Sequence, residues 1–339
     1  MKDFTISKSQ FLDFLSEFKK EFDIYGPNET SKGFYDWVAI DQIEQFEIKQ
    51  GLPKSSIKTF LFPQPEILFE FSANFKDPAA YRLKEPDFKE KKIILFGVRP
   101  CDARSISLNS MPYSEDTYFQ KRLEQILVFG FLCKSVCSTC FCSWVGGSPV
   151  SMDGMDIAVF DLEDAYVLRP ITKKGEELLN RAGLDEATDV EKEAFNRLVK
   201  ENSNKNQSNT ADILKSKDLF DLYNASFWQE LSDACINCGT CTFLCPTCYC
   251  FDIQDEVLKG KGRRIRYWDS CMFPLFTLHA SGHNPRGDKL KRVRNRFMHK
   301  LKYFPDRFGP ISCVGCGRCI RECPVSIDIR EVLRQMLET

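Results

Sequence analysis

Half of the sixteen cysteines in this 339-residue chain lie in two runs with the same spacing, C-x₂-C-x₂-C-x₃-C-P. The runs are Cys235-Ile-Asn-Cys238-Gly-Thr-Cys241-Thr-Phe-Leu-Cys245-Pro246 and Cys313-Val-Gly-Cys316-Gly-Arg-Cys319-Ile-Arg-Glu-Cys323-Pro324. This spacing is typical of the cluster-binding runs of bacterial ferredoxins. Three thiolates within seven residues can bind one face of a [4Fe–4S] cluster, and Gly239 and Gly317 allow the positive φ that such a tight loop needs.

The fourth cysteine of each run is expected to reach the other cluster, as it does in two-cluster ferredoxins. The sequence therefore predicts a first [4Fe–4S] cluster on Cys235, Cys238, Cys241 and Cys323, and a second on Cys313, Cys316, Cys319 and Cys245. Zinc sites usually use two separated C-x₂-C pairs, and disulfides need an oxidising compartment, so both alternatives are disfavoured.

The other eight cysteines form two further sets. A third cluster is predicted on Cys101, Cys133, Cys140 and Cys142, while Cys137 is a fifth candidate that could replace any of them. A fourth cluster on Cys248, Cys250 and Cys271 would be one ligand short. The missing ligand would be Asp252, Asp269, His279, His283 or a cysteine of the amino-terminal set. The alternative for both sets is that they are buried free thiols.

The elements that would position Cys101 and Cys133 are two apolar runs. Residues 93–98 and 126–131 have the composition of buried strands and lead directly into these cysteines, and residues 157–160 predict a third strand. Ligands in an open α/β sheet bind beyond the carboxyl ends of the strands, so both cysteines are expected at that edge. An amphipathic helix is predicted near the start of the chain, after a capping-box sequence at 7–10.

Three regions follow from these patterns. We predict an α/β domain over residues 1–175, a charged helical linker over 176–230 and a two-cluster ferredoxin domain over 231–339. The polar stretch 200–210 is expected to be a mobile loop. The ferredoxin domain carries a long insert, 246–312, which we expect to pack outside the pseudo-symmetric core.

The insert contains a basic run between Arg286 and Lys302. Three interpretations stay open for it: cations that raise cluster potentials, a surface that faces an acidic partner, or a solvated helix face. Nucleic-acid binding is the least favoured, because 47 Lys and Arg against 48 Asp and Glu give the chain a net charge of −1.

Composition also bears on location and cofactors. No apolar run approaches the roughly 20 residues of a membrane span, and the polar start MKDFTISKSQ lacks an export signal. So many thiols are expected in a reducing compartment, the cytoplasm. No G-x-G-x-x-G follows a strand, so no flavin or nicotinamide site is expected in this chain.

Several motifs, taken in order with the two ferredoxin runs, resemble those of a known family. They are Lys58-Thr-Phe-Leu-Phe-Pro-Gln-Pro-Glu-Ile-Leu-Phe69, Gly97-Val-Arg-Pro-Cys-Asp102, Cys140-Phe-Cys142, Cys248-Tyr-Cys-Phe-Asp252, Trp268-Asp-Ser-Cys271 and Gly282-His-Asn284. The family is that of the iron–sulfur beta subunits of cytoplasmic NiFe sulfhydrogenases, to which an iron–sulfur subunit of anaerobic sulfite reductase is closely similar.

The resemblance implies a relay of single electrons between two partner chains. One partner would be a separate FAD-containing, NAD(P)H-oxidising subunit, and the other a catalytic subunit of the hydrogenase, sulfite reductase or heterodisulfide reductase type. The chain would then have no turnover of its own. The alternative is an enzyme that reduces sulfite or polysulfide at the amino-terminal cluster.

Overall fold

The computed structural model describes residues 2–31, 34–40, 51–74, 76, 78, 80, 82–86, 91–203 and 209–339. Its strands are β1 (Phe4–Ser7), β2 (Phe22–Ser31), β3 (Phe34–Ala39), β4 (Glu66–Ser72), β5 (Lys92–Val98), β6 (Ile126–Phe131), β7 (Ile157–Asp161), β8 (Ala165–Pro170), β9 (Asp185–Glu186), β10 (Phe251–Leu258) and β11 (Lys261–Trp268). Its helices are α1 (Lys8–Glu17), α2 (Lys58–Leu61), α3 (Pro100–Ser110), α4 (Thr117–Gln125), α5 (Lys173–Arg181), α6 (Asp189–Ser203), α7 (Thr210–Ser216), α8 (Leu219–Asn224), α9 (Phe227–Ala234), α10 (Thr240–Phe243), α11 (Lys289–Met298), α12 (Phe304–Phe308), α13 (Arg318–Arg321) and α14 (Ile329–Glu338).

A mixed sheet organises the amino-terminal half of the described chain. Its strand order is β3-β2-β5-β6-β7-β8-β1-β9. The central strands β2, β5, β6 and β7 are parallel to one another, and the outer strands pair antiparallel. The predicted strands at 93–98, 126–131 and 157–160 are confirmed as β5, β6 and β7, so the α/β expectation for this part of the chain is correct.

Helices cover both faces of this sheet, as the apolar strands require. Alternate residues of β5 face opposite ways, so Ile94 packs with α1 and α5 whereas Leu95 packs with α2, α3, α4 and α6. The predicted first helix is α1, whose N-cap Ser7 accepts a hydrogen bond from the Gln10 amide. Burial on both faces explains why these strands are continuous apolar runs.

The carboxyl-terminal region has its own core. Apolar residues of α7, α8, α9, α11 and α14 pack around the cysteine-rich loops, with Trp228 and Phe297 stacked at their centre. The predicted linker therefore divides between the two cores: α5 and α6 pack on the sheet, and α7 to α9 pack on the cysteine-rich region. The domain boundaries themselves stay a prediction. The expected loop at 200–210 is wrong at its two ends, because residues 200–203 continue α6 and Thr210 begins α7. Residues 204–208 lie outside the described residues.

The insert 246–312 joins the two regions as well as extending from the ferredoxin runs. Strands β10 and β11 form a hairpin that pairs with β4, from the amino-terminal region, in a three-stranded antiparallel sheet. Helix α11, also in the insert, contributes Arg296 and Phe297 to the surroundings of the cysteines. The insert therefore forms part of the wall of the site. Among the described residues, no helix is long and apolar enough to cross a membrane.

Candidate iron–sulfur centre

The two ferredoxin runs adopt the same backbone conformation. Gly239 and Gly317 have φ values of 77° and 75°, as expected, and each precedes a short helix, α10 or α13. Two residues earlier, Asn237 and Gly315 are also left-handed, with φ of 55° and 65°. Their amides donate to Cys235 Sγ at 3.3 Å and to Cys313 Sγ at 3.4 Å. Each loop therefore directs backbone N–H groups at its first thiol, an arrangement that stabilises a bound thiolate.

The first cysteine group lines a small apolar cavity at the surface. Its members are Cys235, Cys238, Cys241 and Cys323, the set predicted for the first cluster, and Cys319 lines the same cavity. Cys238 is exposed, and so is the side chain of Ile236 beside it. The Ile327 amide donates to Cys323 Sγ at 3.2 Å, and this thiol of the second run lines the same cavity as the thiols of the first.

The second cysteine group comprises Cys313, Cys316, Cys319 and Cys245, and its interior position distinguishes it from the first. Cys313, Cys316 and Cys245 are buried. Cys245 is close enough for its charge to act on each of the other three thiols, as the predicted crossover requires. Burial raises the pKa of Cys316 to about 12, against the opposing charge of Arg318. Such thiols would be protonated unless bound to metal.

The third cysteine group surrounds a cavity of about 230 Å³ at the carboxyl ends of β5 and β6. Its lining includes Cys101, in the first turn of α3, and Cys133, just after β6. The other thiols on the cavity wall are Cys137, Cys140, Cys142 and Cys316. The strand ends thus bring the predicted residues together, and the exposed Cys137 joins them.

Thiol–thiol contact marks two members of this group. Cys140 and Cys142 share a hydrogen bond that lowers the pKa of Cys140 to about 6 and raises the pKa of Cys142. Burial raises the pKa of Cys133 to about 11. Thiols held so close are suited to a common metal centre, where each binds as thiolate. Which four of the five bind a cluster stays a prediction.

The second and third groups are in direct contact. The amide of Phe141 donates to the carbonyl of Gly315 at 2.9 Å. A Cβ at Gly315 would lie 2.5 Å from the Cys142 backbone, so only glycine allows this approach. Cys316 lines the cavity of the third group.

A fully buried ion pair spans the same junction. Both terminal guanidinium nitrogens of Arg318 donate to the Asp102 carboxylate at 2.6 Å, and neither side chain is exposed. Arg318 lies two residues after Cys316, and Asp102 follows Cys101. The pair therefore links the second ferredoxin run to the start of α3.

Cys248, Cys250 and Cys271 are also brought together, beside Cys245. Cys250 shares a hydrogen bond with Cys271, and Cys248 shares one with Cys245. The proposed non-cysteine ligands differ in position. Asp252, His279 and His283 are exposed, and the two histidine rings pack on each other at 5.5 Å. Asp269 is half-buried, and its backbone amide donates to the Cys250 carbonyl at 2.9 Å.

Three buried cations lie among these thiols. They are Lys58 of α2, Arg296 of α11, and Lys300 of the π-helical turn that follows α11. The basic run is interpreted from the sequence as one possible source of cations near the clusters, but neither its individual members nor Lys58 is predicted as a site residue. Arg292, Arg296 and Lys300 recur every four residues in the basic run, and all three are buried. That spacing was the available signal, because it places them on one helix face. No comparable pattern marks Lys58.

The donor set fits iron–sulfur clusters. Among the described residues, no three His, Cys, Asp or Glu side chains converge closely enough for a single metal ion, whereas a cubane needs thiolates spread around four irons. Arg296 Nε is buried without a hydrogen-bond partner, and the thiols of Cys241 and Cys319 face its guanidinium. Hydrogen bonds to the sulfurs of a cluster would satisfy such a donor.

Paired ferredoxin loops define an iron–sulfur protein, and comparison with known proteins agrees. Residues 234–327 match the family model of the 4Fe-4S dicluster domain. The chain is 30% identical, over 351 aligned positions, to Sulfhydrogenase 2 subunit beta of Pyrococcus furiosus, and the alignment covers 100% of this chain and 99% of that protein. No solved structure matches significantly. The chain belongs to the family of sulfhydrogenase beta subunits, and it is an iron–sulfur subunit related to them.

Proposed function

We propose that this chain is a cytoplasmic electron-transfer subunit that relays single electrons between an FAD-containing, NAD(P)H-oxidising subunit and the catalytic subunit of a hydrogenase-type complex. The observation that carries the proposal is the contiguity of the cysteine groups. The series begins at exposed Cys238, passes through the buried second group and ends at exposed Cys137.

The contacts between successive groups support this path. Cys319, of the second group, lines the cavity of the first, and Arg296 lies against thiols of both. Cys316, also of the second group, lines the cavity of the third. Clusters bound at these positions would exchange one electron at a time and would lie close enough to pass it on.

The chain's own residues would hold the relay and exclude water from its middle. Burial of Cys313 and Cys316 keeps solvent away from the second group, and the backbone amides of Asn237 and Gly315 fix the first thiol of each run. Exposure of Cys238 and Cys137 leaves both ends of the series open to partner proteins. A partner at each end is what a relay needs.

One observation favours a second function. The cavity of the third group holds about 230 Å³ and is lined by five thiols from residues 101–142, one more than a cubane needs. A sulfur compound such as sulfite or polysulfide could react at an iron there if one coordination site were open. The chain would then be a reductase rather than a relay.

The test uses the full-length chain, purified anaerobically with its iron and sulfide. As a relay it is reduced by dithionite, shows cluster signals by electron paramagnetic resonance, and oxidises no NADH or NADPH until the flavoprotein is added back. Oxidation of NAD(P)H by the isolated chain would contradict the proposal. Reduction of sulfite or polysulfide at the rate of the complex would favour the reductase.

A further inference from the structure

The thiols of Cys248, Cys250 and Cys271 lie within a concentration of buried positive charge. Lys58, Lys300 and Arg296 surround them and Cys245, and their residues are only 3%, 2% and 3% exposed. These cations come from two distant parts of the chain, α2 and the α11 region of the insert. Two segments that are far apart in the sequence thus place positive charge around the same thiols.

The hydrogen-bond partners of these cations are all neutral. Lys58 Nζ donates to the carbonyls of Thr242 and Cys248, both at 3.2 Å, and lies 4.0 Å from the centroid of the Trp268 ring. Lys300 Nζ donates to Thr247 Oγ1 and to the Ser312 carbonyl, both at 2.8 Å. The Arg296 guanidinium donates to the Cys241 carbonyl at 3.2 Å, and its Nε has no partner.

Within the residues that the structure describes, none of the three forms an ion pair with a carboxylate. Two other buried arginines do have carboxylate partners: Arg318 is paired with Asp102, and Arg266 with Glu66 and Asp116. A buried charge without a counter-charge is strongly destabilising, so three of them need negative charge nearby.

Thiolates are the anionic groups that face these cations. Cys248 and Cys245 face all three, and Cys250 also faces Lys58. Arg296 in addition faces Cys241 and Cys319, and Lys300 faces Cys313, so thiols of the ferredoxin runs contribute to the same surroundings. Desolvation alone would keep buried thiols protonated and neutral, whereas metal binding deprotonates them. A thiolate-bound iron–sulfur cluster would supply the negative charge that the three cations require.

We propose that Cys248, Cys250 and Cys271 bind an iron–sulfur cluster of their own, whose negative charge, together with that of the ferredoxin clusters, neutralises Lys58, Lys300 and Arg296. Cys245 lies between this group and the second group, and we assign it to the second group by the ferredoxin spacing. The new site then has three cysteine ligands. It adjoins the buried second group through the hydrogen bond between Cys248 and Cys245.

The role of this cluster deepens the proposed relay and rests on it. Cations around a buried cluster favour its more negative, reduced form and so raise its potential. A high-potential cluster beside the second group would hold one electron while a second electron passes along the series of clusters. It would therefore help the chain to receive the two electrons of a hydride in succession.

Metal analysis tests the site itself. The Cys250→Ala/Cys271→Ala variant of the full-length chain, reconstituted anaerobically with iron and sulfide, should contain about four fewer irons per chain than the wild type. The ferredoxin paramagnetic signals should persist. An unchanged iron content, or zinc at this site in the wild type, would overturn the proposal.

A second variant leaves every cysteine in place and keeps the test decisive if the first does not fold. Lys58→Met should retain the full iron content while the midpoint potential of one cluster becomes more negative. Lys91→Met is the matched control, because Lys91 is a partly exposed lysine paired with Asp23 at 2.9 Å, and no potential should change. Unchanged potentials in Lys58→Met would refute the proposal. NAD(P)H oxidation by the isolated wild type would refute the proposed relay. The iron content of the double cysteine variant and the potentials of Lys58→Met would still test the cluster site.

Discussion

The Asp102–Arg318 pair shows at the scale of single residues how charges and cysteines depend on each other in this protein. Arg318 Nε donates to the Pro53 carbonyl, and one of its terminal nitrogens reaches the Ser55 carbonyl as well as Asp102. Every nitrogen of the guanidinium therefore has an acceptor, and burial between two cysteine groups keeps water away from it. A buried pair of this kind contributes little against an apolar replacement, but losing one partner is costly.

Replacing Asp102 by asparagine should lower the free energy of unfolding by about 3–5 kcal/mol, because it leaves Arg318 buried without an anion. Denaturant unfolding of the anaerobic holoprotein measures the change. Glu21→Gln is the control: it removes an exposed partner of Arg181 and should cost at most about 1 kcal/mol. If both variants lose the same free energy of unfolding, burial of the Asp102–Arg318 pair does not determine the cost of breaking it.

At the scale of loops and helices, left-handed glycines set how closely the segments approach. Gly317 and Gly239 occupy equivalent positions in the two runs, yet their surroundings differ. A Cβ at Gly317 would lie 2.4 Å from the Thr139 carbonyl oxygen, whereas one at Gly239 would meet the side chain of Phe273 at 2.8 Å. Backbone cannot move aside as a side chain can, so the contact at Gly317 is the stricter one.

Alanine at these positions should lower the thermal unfolding midpoint in the order Gly317 > Gly239 > Gly183. Gly183 has a φ of 64° but nothing within 4 Å of its Cβ position, so it reports backbone strain alone, roughly 1–2 kcal/mol. Gly317→Ala should also reduce iron at the third group by displacing the 139–142 loop. Unfolding midpoints and iron content, measured anaerobically, check both parts; a larger effect at Gly183 would contradict the packing argument.

Strand ends position the third group, which makes Cys101 the informative residue there. Cys101→Ser should remove about four irons per chain and leave the ferredoxin signals unchanged, because Cys101 lies on α3 outside both runs. Cys137→Ser in the same cavity should keep the iron content, since the predicted ligand set excludes Cys137. If Cys137→Ser lowers the iron content and Cys101→Ser does not, Cys137 rather than Cys101 is a ligand of the third cluster.

Local sequence patterns predict the individual strands and turns but not the contacts between distant segments. The apolar runs predict β5, β6 and β7 because buried parallel strands are apolar on both faces. Gly317 predicts a left-handed residue, and the equivalence of Asn237 with Gly315 could have predicted two more. The contact of Lys58 with the Cys248 carbonyl joins residues 190 positions apart. No short-range pattern encodes such a contact, because it depends on the pairing of β4 with β11.

At the scale of the whole molecule, the exposed cysteines mark two surfaces where electrons could enter or leave. Ile236 is 61% exposed and precedes Cys238 by two residues, and Val136 is 61% exposed and directly precedes Cys137. Apolar side chains at such positions suit a partner interface, whose centre excludes water. The two surfaces belong to different cysteine groups, so each can serve one partner.

A charge introduced at either surface should slow transfer to one partner only. We expect Ile236→Glu and Val136→Glu each to lower the rate of NAD(P)H-driven electron flow through the reconstituted complex, because a buried glutamate would weaken docking. Stopped-flow reduction by the flavoprotein alone should be slowed in one of the two variants. Transfer to the catalytic subunit, measured from dithionite-reduced chain, should be slowed in the other.

Dithionite reduction of the isolated variants separates docking from damage. Dithionite needs no protein interface, so its rate and extent should match the wild type in both variants if the clusters are intact. Val190→Glu, at an exposed position of α6, is the matched control and should affect neither partner. Slowing of the same partner in Ile236→Glu and Val136→Glu would mean that both chains dock at one surface. The contiguous series from Cys238 to Cys137 would then not be the path of the electrons.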